Sequence, residues 1–273
     1  MAAPFLVLTD FTPPADQALR YAATLAAAVQ APLVVLHIRR ESLLDPDAFN
    51  GSIRHLSEGE VAAALAERVK GLPAPASVEL AVDGVEAAVS EAVQRHAPVA
   101  VVLGKPNTQI VPDELVSTTS LKLLRATRTP LLVVPLEFEG QMPPQHVTIA
   151  ADNAPVNLKP QSGGVSGLLR QLRPQLAVTH VVEPEDNDSC LTALAAVQAS
   201  GLIDPETRVR CHGVRHRRVP EGILQGVAET GADLLVLVAR RRSFLGQLFN
   251  RSVTSQVVLH GRVPMLLLPD LDE

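Results

Sequence analysis

Short apolar runs alternate along the whole chain with longer segments in which apolar residues recur at helical spacing. Runs of this kind are typical of strands buried on both faces of a parallel sheet, with helices on the connections. The pattern predicts ten strands, at residues 5–9, 32–38, 77–82, 99–103, 131–135, 146–150, 176–182, 207–214, 234–238 and 265–268. It predicts eight helices, at residues 13–30, 58–70, 85–96, 118–126, 168–172, 190–200, 221–230 and 253–260. The Gly-rich segment 162–167 is expected to open the fifth of them.

The second half of the chain repeats the first. Adding 134 to a residue number aligns long parts of the two halves without a gap, for example Pro130 with Pro264. Upstream the offset rises to 142, which takes Asp10 to Asp152, so the first half holds eight extra residues (142 − 134). We expect them in the segment after Ile38. Self-similarity of this extent indicates an internal duplication.

A Pro- and Gly-containing connector, EFEGQMPPQ at residues 137–145, separates the two copies. The sequence therefore predicts one domain at residues 1–139 and a second at 140–273. A length of 273 residues agrees with two modest domains.

Composition narrows the classes of function. Aromatic residues make up 3% of the chain and Trp is absent, which speaks against a base-stacking surface for nucleic acid. The net charge of −5 argues against general attraction to DNA or to anionic lipid. No apolar run reaches the length of a membrane span, and the two cysteines, Cys190 and Cys211, show no CxxC spacing. We expect a cytoplasmic protein that binds neither nucleic acid nor membrane.

Several motifs occur twice in the same order. VLTDFT in the first half corresponds to IAADNA in the second, VVLHI to AVTHVV, and LLRATRTPLLVVP to VLHGRVPMLLLP. With these motifs the chain resembles a tandem universal stress protein. The resemblance implies an α/β fold with two five-stranded parallel sheets of the adenine-nucleotide alpha-hydrolase-like (Rossmann-like) type. It also implies pairing of the two domains through their last strands as an intramolecular pseudo-dimer, and it leaves a homodimer and a protein partner open.

Nucleotide-binding members of that family hold ATP with a loop Gly-x2-Gly-x9-Gly-Ser/Thr after the fourth strand. Small residues let backbone N–H groups reach phosphate oxygens, and a hydroxyl at the next helix N-terminus adds a donor. One glycine of three remains in the first half, and the resemblance places Asp10 and Ile38 beside adenine and ribose. ATP is therefore a candidate ligand of domain 1. The candidate nucleotide residues are Asp10, Ile38, Gly104, Asn107, Ser117 and Thr118.

A structural interpretation of the same residues is equally available. Gly104 then makes a turn at a strand end, Thr118 caps a helix, and Asp10 is a solvated loop acid. Lys105 adds a positive charge to the loop, whereas Pro106 removes one amide donor.

In the second half the equivalent positions have lost every glycine, and arginines are concentrated there instead. Guanidinium groups bind phosphate or carboxylate with two hydrogen bonds, so these residues predict an anion site. The alternative is that they pair with nearby acids or are solvated. The candidate anion-binding residues are Arg240, Arg241, Arg242, Arg251 and Ser252.

No metal site or catalytic motif is predicted. Cys211 and His212 are adjacent on a strand and should point to opposite faces, so they are poorly placed to share a zinc ion. His37 and His180 recur at matching strand ends, which favours a structural role.

The leading hypothesis is a universal stress protein that acts in interaction or sensing, without strong catalysis and with ATP binding largely lost. It is not expected to be an enzyme or to need a cofactor. One alternative is an ATP-binding switch or weak ATPase that works through domain 1. The other is a binder of an anionic metabolite at the domain 2 arginines.

Overall fold

The computed structural model of the chain describes residues 2–39, 57–82, 84–106, 113–158, 163–186, 189–240 and 252–270, with the backbone alone at 113–119 and 163. Within these ranges lie ten strands and eight helices, which confirms the predicted alternation. The bounds agree with the predicted ones to within two residues, except that the fourth helix begins five residues earlier. The fifth helix begins at Gly163, within the Gly-rich segment 162–167, as predicted.

Nine elements form each half. The first half contains β1 (Phe5–Thr9), α1 (Pro13–Ala28), β2 (Leu33–Arg39), α2 (Glu58–Val69), β3 (Ala76–Val82), α3 (Val85–His96), β4 (Ala100–Lys105), α4 (Asp113–Thr127) and β5 (Leu131–Pro135). The second half contains β6 (His146–Ala150), α5 (Gly163–Leu172), β7 (Gln175–Val182), α6 (Cys190–Ala199), β8 (Val209–Arg215), α7 (Val219–Thr230), β9 (Leu234–Ala239), α8 (Val253–His260) and β10 (Met265–Pro269).

The element bounds confirm the duplication and locate its irregularities. Helices α3 and α7, strands β4 and β9, and strands β5 and β10 are each related by an offset of 134. The connection from β2 to α2 spans residues 40–57, whereas the one from β7 to α6 spans only 183–189. The extra residues of the first half therefore follow Ile38, as predicted.

All ten strands belong to one sheet with the order β3-β2-β1-β4-β5-β10-β9-β6-β7-β8. Pairing within each half is parallel, for example Phe5 with Leu33 of β2 and with Ala100 of β4. The two halves join through an antiparallel pair, β5 and β10, in which Leu132 lies opposite Leu266. The strand order within each half is thus β3-β2-β1-β4-β5 and its repeat.

Helices cover both faces of this sheet. One core cluster contains residues of α1, α2, α5 and α6, and the other contains residues of α3, α4, α7 and α8. Each cluster includes residues of both halves. Alternate residues of a strand enter opposite clusters, as Phe5 and Leu6 of β1 do. Burial on both faces explains why the strands are nearly continuous runs of Val, Leu and Ile.

This arrangement positions the candidate site. β1 lies between β2 and β4, and β6 lies between β7 and β9. The connections on the two sides of β1 and of β6 lead to helices on opposite faces, which leaves a crevice at the carboxyl ends of these strands. In the parts of the chain that are described, no helix is both long and apolar enough to cross a lipid bilayer.

Candidate nucleotide site and its second-half counterpart

Three of the candidate nucleotide residues lie at the carboxyl ends of adjacent strands. Asp10 follows β1, Ile38 is the penultimate residue of β2, and Gly104 is the penultimate residue of β4. Because β1 pairs with both other strands, these ends meet at one edge of the sheet. Ligands of open α/β sheets bind at such an edge. The structure therefore brings Asp10, Ile38 and Gly104 to a suitable place.

Of the remaining three candidates, the two that the structure describes, Ser117 and Thr118, do not lie at a helix N-terminus. Asn107 lies outside the described residues. Helix α4 begins at Asp113, so Ser117 and Thr118 lie inside the helix, and the prediction that it starts near Thr118 is wrong. The acidic residues Asp113 and Glu114 suit a first helical turn, which explains the earlier start. Backbone amides beyond the first turn bond to carbonyls within the helix.

The carboxylate of Asp10 is used locally. Its Oδ1 accepts a hydrogen bond from the backbone N–H of Thr12 at 3.1 Å and another from the Thr12 hydroxyl at 2.5 Å. Thr12 immediately precedes α1. These contacts fix the turn from β1 into α1, as short Asp side chains commonly do.

An aromatic pair that the sequence analysis did not consider lies beside Asp10. The ring of Phe11 stacks on the ring of His37, with centroids 4.3 Å apart and planes 24° from parallel. Phe11 holds this position with φ of 64°, an uncommon backbone conformation for a bulky residue. His37 is itself oriented by a hydrogen bond of 2.9 Å from Nδ1 to the carbonyl oxygen of Thr9.

Arg68 of α2 completes this cluster on its other side. The guanidinium carbon lies 4.7 Å from the centroid of the Phe11 ring, within the range of a cation–π contact. Its Nε donates to Asp16 Oδ1 at 2.7 Å, and one Nη donates to the backbone carbonyl of Phe11 at 3.3 Å. The rings are thus stacked and tethered by residues of three separate elements. An aromatic residue directly after a candidate strand-end acid was the signal in the sequence.

Gly104 is required by the packing of α1. A β-carbon added there would lie 2.1 Å from the backbone oxygen of Pro14 and 2.8 Å from the backbone nitrogen of Ala15. The first turn of α1 therefore rests directly against the end of β4. Its equivalent in the second half is Val238, which is buried, and α5 begins only at Gly163.

Lys105 points away from the candidate site. Its side chain is 6% exposed, and Nζ donates to the backbone carbonyls of Leu259 at 2.6 Å and Gly261 at 2.8 Å. These carbonyls lie at the carboxyl end of α8, in the other half of the chain. The expectation that Lys105 adds charge to a phosphate site is wrong for this reason: adjacent strand residues face opposite sides of the sheet.

Arg240 occupies the corresponding edge of the second half. Its guanidinium donates to Asp270 Oδ2 at 2.7 Å, to Asp152 Oδ1, and to the carbonyls of Pro155 and Ala154, the latter at 2.8 Å. Asp152 follows β6 and Asp270 follows β10, so Arg240 links the ends of three strands. The Asp270 side chain is fully buried, and the sequence analysis missed it.

The charge of Arg240 is balanced by these acids. Burial by itself lowers the pKa of Arg240, but hydrogen bonds and charge interactions with Asp152 and Asp270 outweigh it and raise the pKa. The second half thus holds a buried carboxylate and its counter-ion where the first half has the ends of β1 and β4.

Of the other candidate anion-binding residues, the structure describes Ser252 alone. Ser252 is the N-cap of α8, and its hydroxyl accepts a hydrogen bond from the Ser255 amide at 3.0 Å. Arg241, Arg242 and Arg251 lie outside the described residues. An anion site formed by them stays a prediction.

The histidines and cysteines serve separate contacts. His180 repeats the contact of His37, with Nδ1 3.0 Å from the carbonyl oxygen of Ala151. His212 Nε2 lies 2.6 Å from Glu229 Oε2 of α7, while Cys190 Sγ on the opposite face donates to the carbonyl oxygen of Val178 at 3.4 Å. Across the described ranges, no group of three or more His, Cys, Asp or Glu could hold a metal ion.

Comparison with solved structures identifies the fold. A universal stress protein from Archaeoglobus fulgidus DSM 4304 is 16% identical, with a TM-score of 0.70 over 97% of this chain and 98% of that one. A protein of unknown function from Pseudomonas aeruginosa PAO1 is also 16% identical, with a TM-score of 0.58 over 98% and 93%. A protein described as a universal stress protein from Pseudomonas aeruginosa UCBPP-PA14 has 16% identity and a TM-score of 0.60 over 98% and 94%.

No curated protein matches the chain in sequence. The model of the universal stress protein family, however, matches two segments, residues 1–135 and 165–269. The first segment contains the five strands β1 to β5, and the second contains the four strands β7 to β10. The chain belongs to the universal stress protein family and carries two copies of its domain.

Proposed function

We propose that the chain is a stress-response protein that acts by interaction or sensing, without strong catalysis, and that it has largely lost ATP binding in both domains. Family membership supports the stress-response role. One observation carries the rest of the proposal. In both halves, the chain's own groups occupy the strand ends at which a nucleotide would have to bind.

In the first half the resemblance places adenine and ribose beside Asp10 and Ile38. Phe11 follows the first of these residues and His37 precedes the second, and their rings already stack on one another. Arg68 covers the other side of Phe11. A purine that used these side chains would have to displace a stacked and tethered ring, so the described residues do not fit an adenine here.

The phosphate end of the first-half site is restricted as well. A phosphate cradle needs free backbone amides and open space above small residues. At Gly104 that space is filled by the backbone of Pro14 in α1. The absent side chain of Gly104 therefore accommodates a helix, which removes the main sequence argument for a remaining phosphate loop.

In the second half, ion pairs of Arg240 with two acidic residues occupy the corresponding edge of the sheet. Arg240 lies between Asp152 and Asp270, with two further carbonyls as acceptors. A triphosphate would have to compete with a fully buried carboxylate for this guanidinium. Separating a buried ion pair leaves an uncompensated charge, at a cost of about 3–5 kcal/mol.

The contacts of the three carboxylates whose pKa values are lowered support the absence of strong catalysis. Glu60 belongs to the capping box of α2, Glu79 forms an ion pair with Arg95 between a strand and a helix, and Glu229 forms a hydrogen bond with His212 between a helix and a strand. Groups with perturbed pKa values cluster at catalytic sites in many enzymes. Here they stabilise helix ends and helix–strand contacts instead.

The assembly that we propose is an intramolecular pseudo-dimer with domains at residues 1–139 and 140–273. Its support is the antiparallel β5–β10 ladder, which joins the last strand of one half to the last strand of the other. A chain that completes this pairing internally does not need a second copy for it.

An ATP titration of the purified protein, followed by calorimetry and by thermal unfolding, tests the proposal. We expect no saturable heat and no rise in the unfolding temperature with millimolar ATP, because a ligand stabilises only the state it binds. Inorganic triphosphate serves as a matched probe that lacks the nucleoside.

Two other outcomes identify the alternatives. Stabilisation by ATP but not by triphosphate, abolished by Thr118→Ala, would contradict the proposal in favour of an ATP-binding switch in domain 1. Stabilisation by both probes, abolished by Arg241→Ala and Arg251→Ala, would instead establish an anion site in domain 2.

A further inference from the structure

The two cysteines of the chain lie on neighbouring elements of the second half. Cys190 is the first residue of α6, and Cys211 lies in the edge strand β8. The Sγ atom of Cys190 donates to the backbone oxygen of Val178 in β7 at 3.4 Å. The same Val178 is the register partner of Cys211 in the β7–β8 ladder. Both cysteines therefore lie next to the same residue of β7, Val178.

The two side chains also share one face of that sheet. Register partners in adjacent parallel strands project to the same side, about 4.8 Å apart. Val178 belongs to the core cluster on the α6 side, and Cys190 packs against that cluster. Cys211 therefore projects toward α6. The next residue, His212, projects to the other face, where it contacts Glu229 of α7.

The electrostatics of Cys190 agree with close approach of the two thiols. Burial and interaction with Cys211 raise the pKa of Cys190 to about 12. Cys190 consequently keeps its proton at neutral pH, and Cys211 is left as the first nucleophile. Both residues are partly exposed, so a small oxidant can reach them.

We propose that Cys190 and Cys211 form a redox site that a peroxide or an organic disulfide oxidises to an intramolecular disulfide. The proposal goes beyond the function proposed above and does not depend on it, because it rests on the placement of two sulfur atoms. The chain contains two cysteines in total, so no third thiol competes for either partner.

The reaction with hydrogen peroxide balances in two steps. First, the Cys211 thiolate attacks a peroxide oxygen, the O–O bond breaks, and the departing hydroxide takes up the thiol proton as water. The sulfenic acid formed on Cys211 is then attacked by the Cys190 sulfur. An S–S bond forms, the S–O bond breaks, and the hydroxyl leaves with the Cys190 proton as a second water. Two thiols are oxidised by two electrons, and one peroxide is reduced.

The bridge would join the first turn of α6 to an edge strand that has a single neighbour in the sheet. In the reduced protein that helix and that strand are held together by side-chain packing. Oxidation would therefore stabilise this corner of the second half and restrict opening of α6, because a covalent link lowers the entropy of the opened state.

The test oxidises the fully reduced, full-length protein with diamide and, separately, with hydrogen peroxide. We expect loss of both titratable thiols, a mass lower by two hydrogen atoms in a single chain, and a peptide pair that links Cys190 to Cys211. Dithiothreitol should restore both thiols. Cys190→Ser and Cys211→Ser are matched controls, and each should retain its remaining thiol in monomeric protein under the same diamide treatment.

Three results would overturn the proposal: both thiols still titratable after diamide, oxygen added to sulfur without a bridge, or disulfide-linked dimers in place of the internal bridge. Peptide mapping of the oxidised wild-type protein distinguishes these results from an internal disulfide even if a serine variant folds poorly.

Discussion

At the scale of single residues, equivalent positions of the two halves carry a hydrogen-bonded pair of an acidic and a basic residue, with the two residue types exchanged between strand and helix. Glu79 of β3 accepts hydrogen bonds from Arg95 and His96 of α3, at 2.9 and 2.7 Å. At the positions equivalent to Glu79 and Arg95, the second half has His212 on β8 and Glu229 on α7, 2.6 Å apart. In both halves the contact links an edge strand to the helix that covers it, whichever of the two elements carries the acidic residue.

The electrostatics of Glu79 and Arg95 favour the charged form of both residues. Partial burial by itself raises the pKa of Glu79, but hydrogen bonds from His96 and Arg95, together with their charges, outweigh it and lower the pKa. The pKa of Arg95 is raised by its hydrogen bond to Glu79 and by the charge of that carboxylate. The folded state therefore favours the ionised carboxylate.

We predict that Glu79→Gln lowers the free energy of unfolding by about 1 kcal/mol at pH 7, since a charged acceptor of two hydrogen bonds is lost. Because the pKa of Glu79 is lower in the folded state, its contribution is present above the unfolded carboxyl pKa of about 4.3. The contribution is lost as the pH falls through the folded-state pKa. Urea unfolding from pH 7 to about pH 3 should show the two proteins converging.

Glu67→Gln is the control for this substitution, because Glu67 is highly exposed and lies 3.9 Å from its partner Lys70. It should change stability by a few tenths of a kcal/mol at most. A difference between wild type and Glu79→Gln that stays constant with pH would contradict the ionic account.

At the scale of elements, the two halves differ in where the first helix begins after the first strand. Helix α1 begins at Pro13, directly after the turn from β1, and its first turn lies against Gly104. Helix α5 begins at Gly163, well after β6 ends at Ala150. At the end of β9 the second half carries the buried Val238 and Arg240, which pairs with Asp152 and Asp270. The two halves therefore close the same crevice by different means.

We predict that Gly104→Ala destabilises the protein by about 1–3 kcal/mol, because the new methyl group cannot fit without moving the backbone of α1. Gly213→Ala is the matched control, since a β-carbon at this other strand glycine meets no atom within 4 Å. Thermal or denaturant unfolding of both variants measures the difference. Equal stability of the two variants would contradict close packing of α1 on β4.

The sequence predicts the strands and helices of this fold better than it predicts the side-chain contacts at the ends of the strands. Apolar runs and helical spacing are local properties, so the strands, the helices and the duplication follow from them. The stack of Phe11 on His37 and the pairing of Arg240 with Asp270 join residues that are distant in the chain. Such contacts depend on how strands are ordered in the sheet, which one sequence does not display. The contact of Lys105 with the carbonyls of Leu259 and Gly261 likewise joins residues that are distant in the chain.

At the scale of the whole molecule, the two halves share one sheet and two continuous core clusters. One polar contact between them is buried and asymmetric: Lys105 of β4 binds the last carbonyls of α8. A cation at the carboxyl end of a helix interacts favourably with the unpaired carbonyls and the helix dipole. The residue equivalent to Lys105 in the second half is Ala239, so the contact is made once.

We predict that Lys105→Met lowers the free energy of unfolding by about 2–3 kcal/mol, because two buried carbonyls lose a charged donor. The exposed Lys122 on α4 provides the control, and Lys122→Met should stay within about 0.5 kcal/mol of wild type. Denaturant unfolding monitored by circular dichroism compares the variants. A stability loss in Lys122→Met that equals the loss in Lys105→Met would contradict a specific role at the junction of the halves.

We propose that the chain itself fills both nucleotide positions of the family. The small-molecule content of protein purified without added nucleotide and then denatured tests this directly. We predict no ATP, ADP or AMP above trace amounts relative to protein. Recovery of any of these nucleotides at near-stoichiometric yield would contradict it.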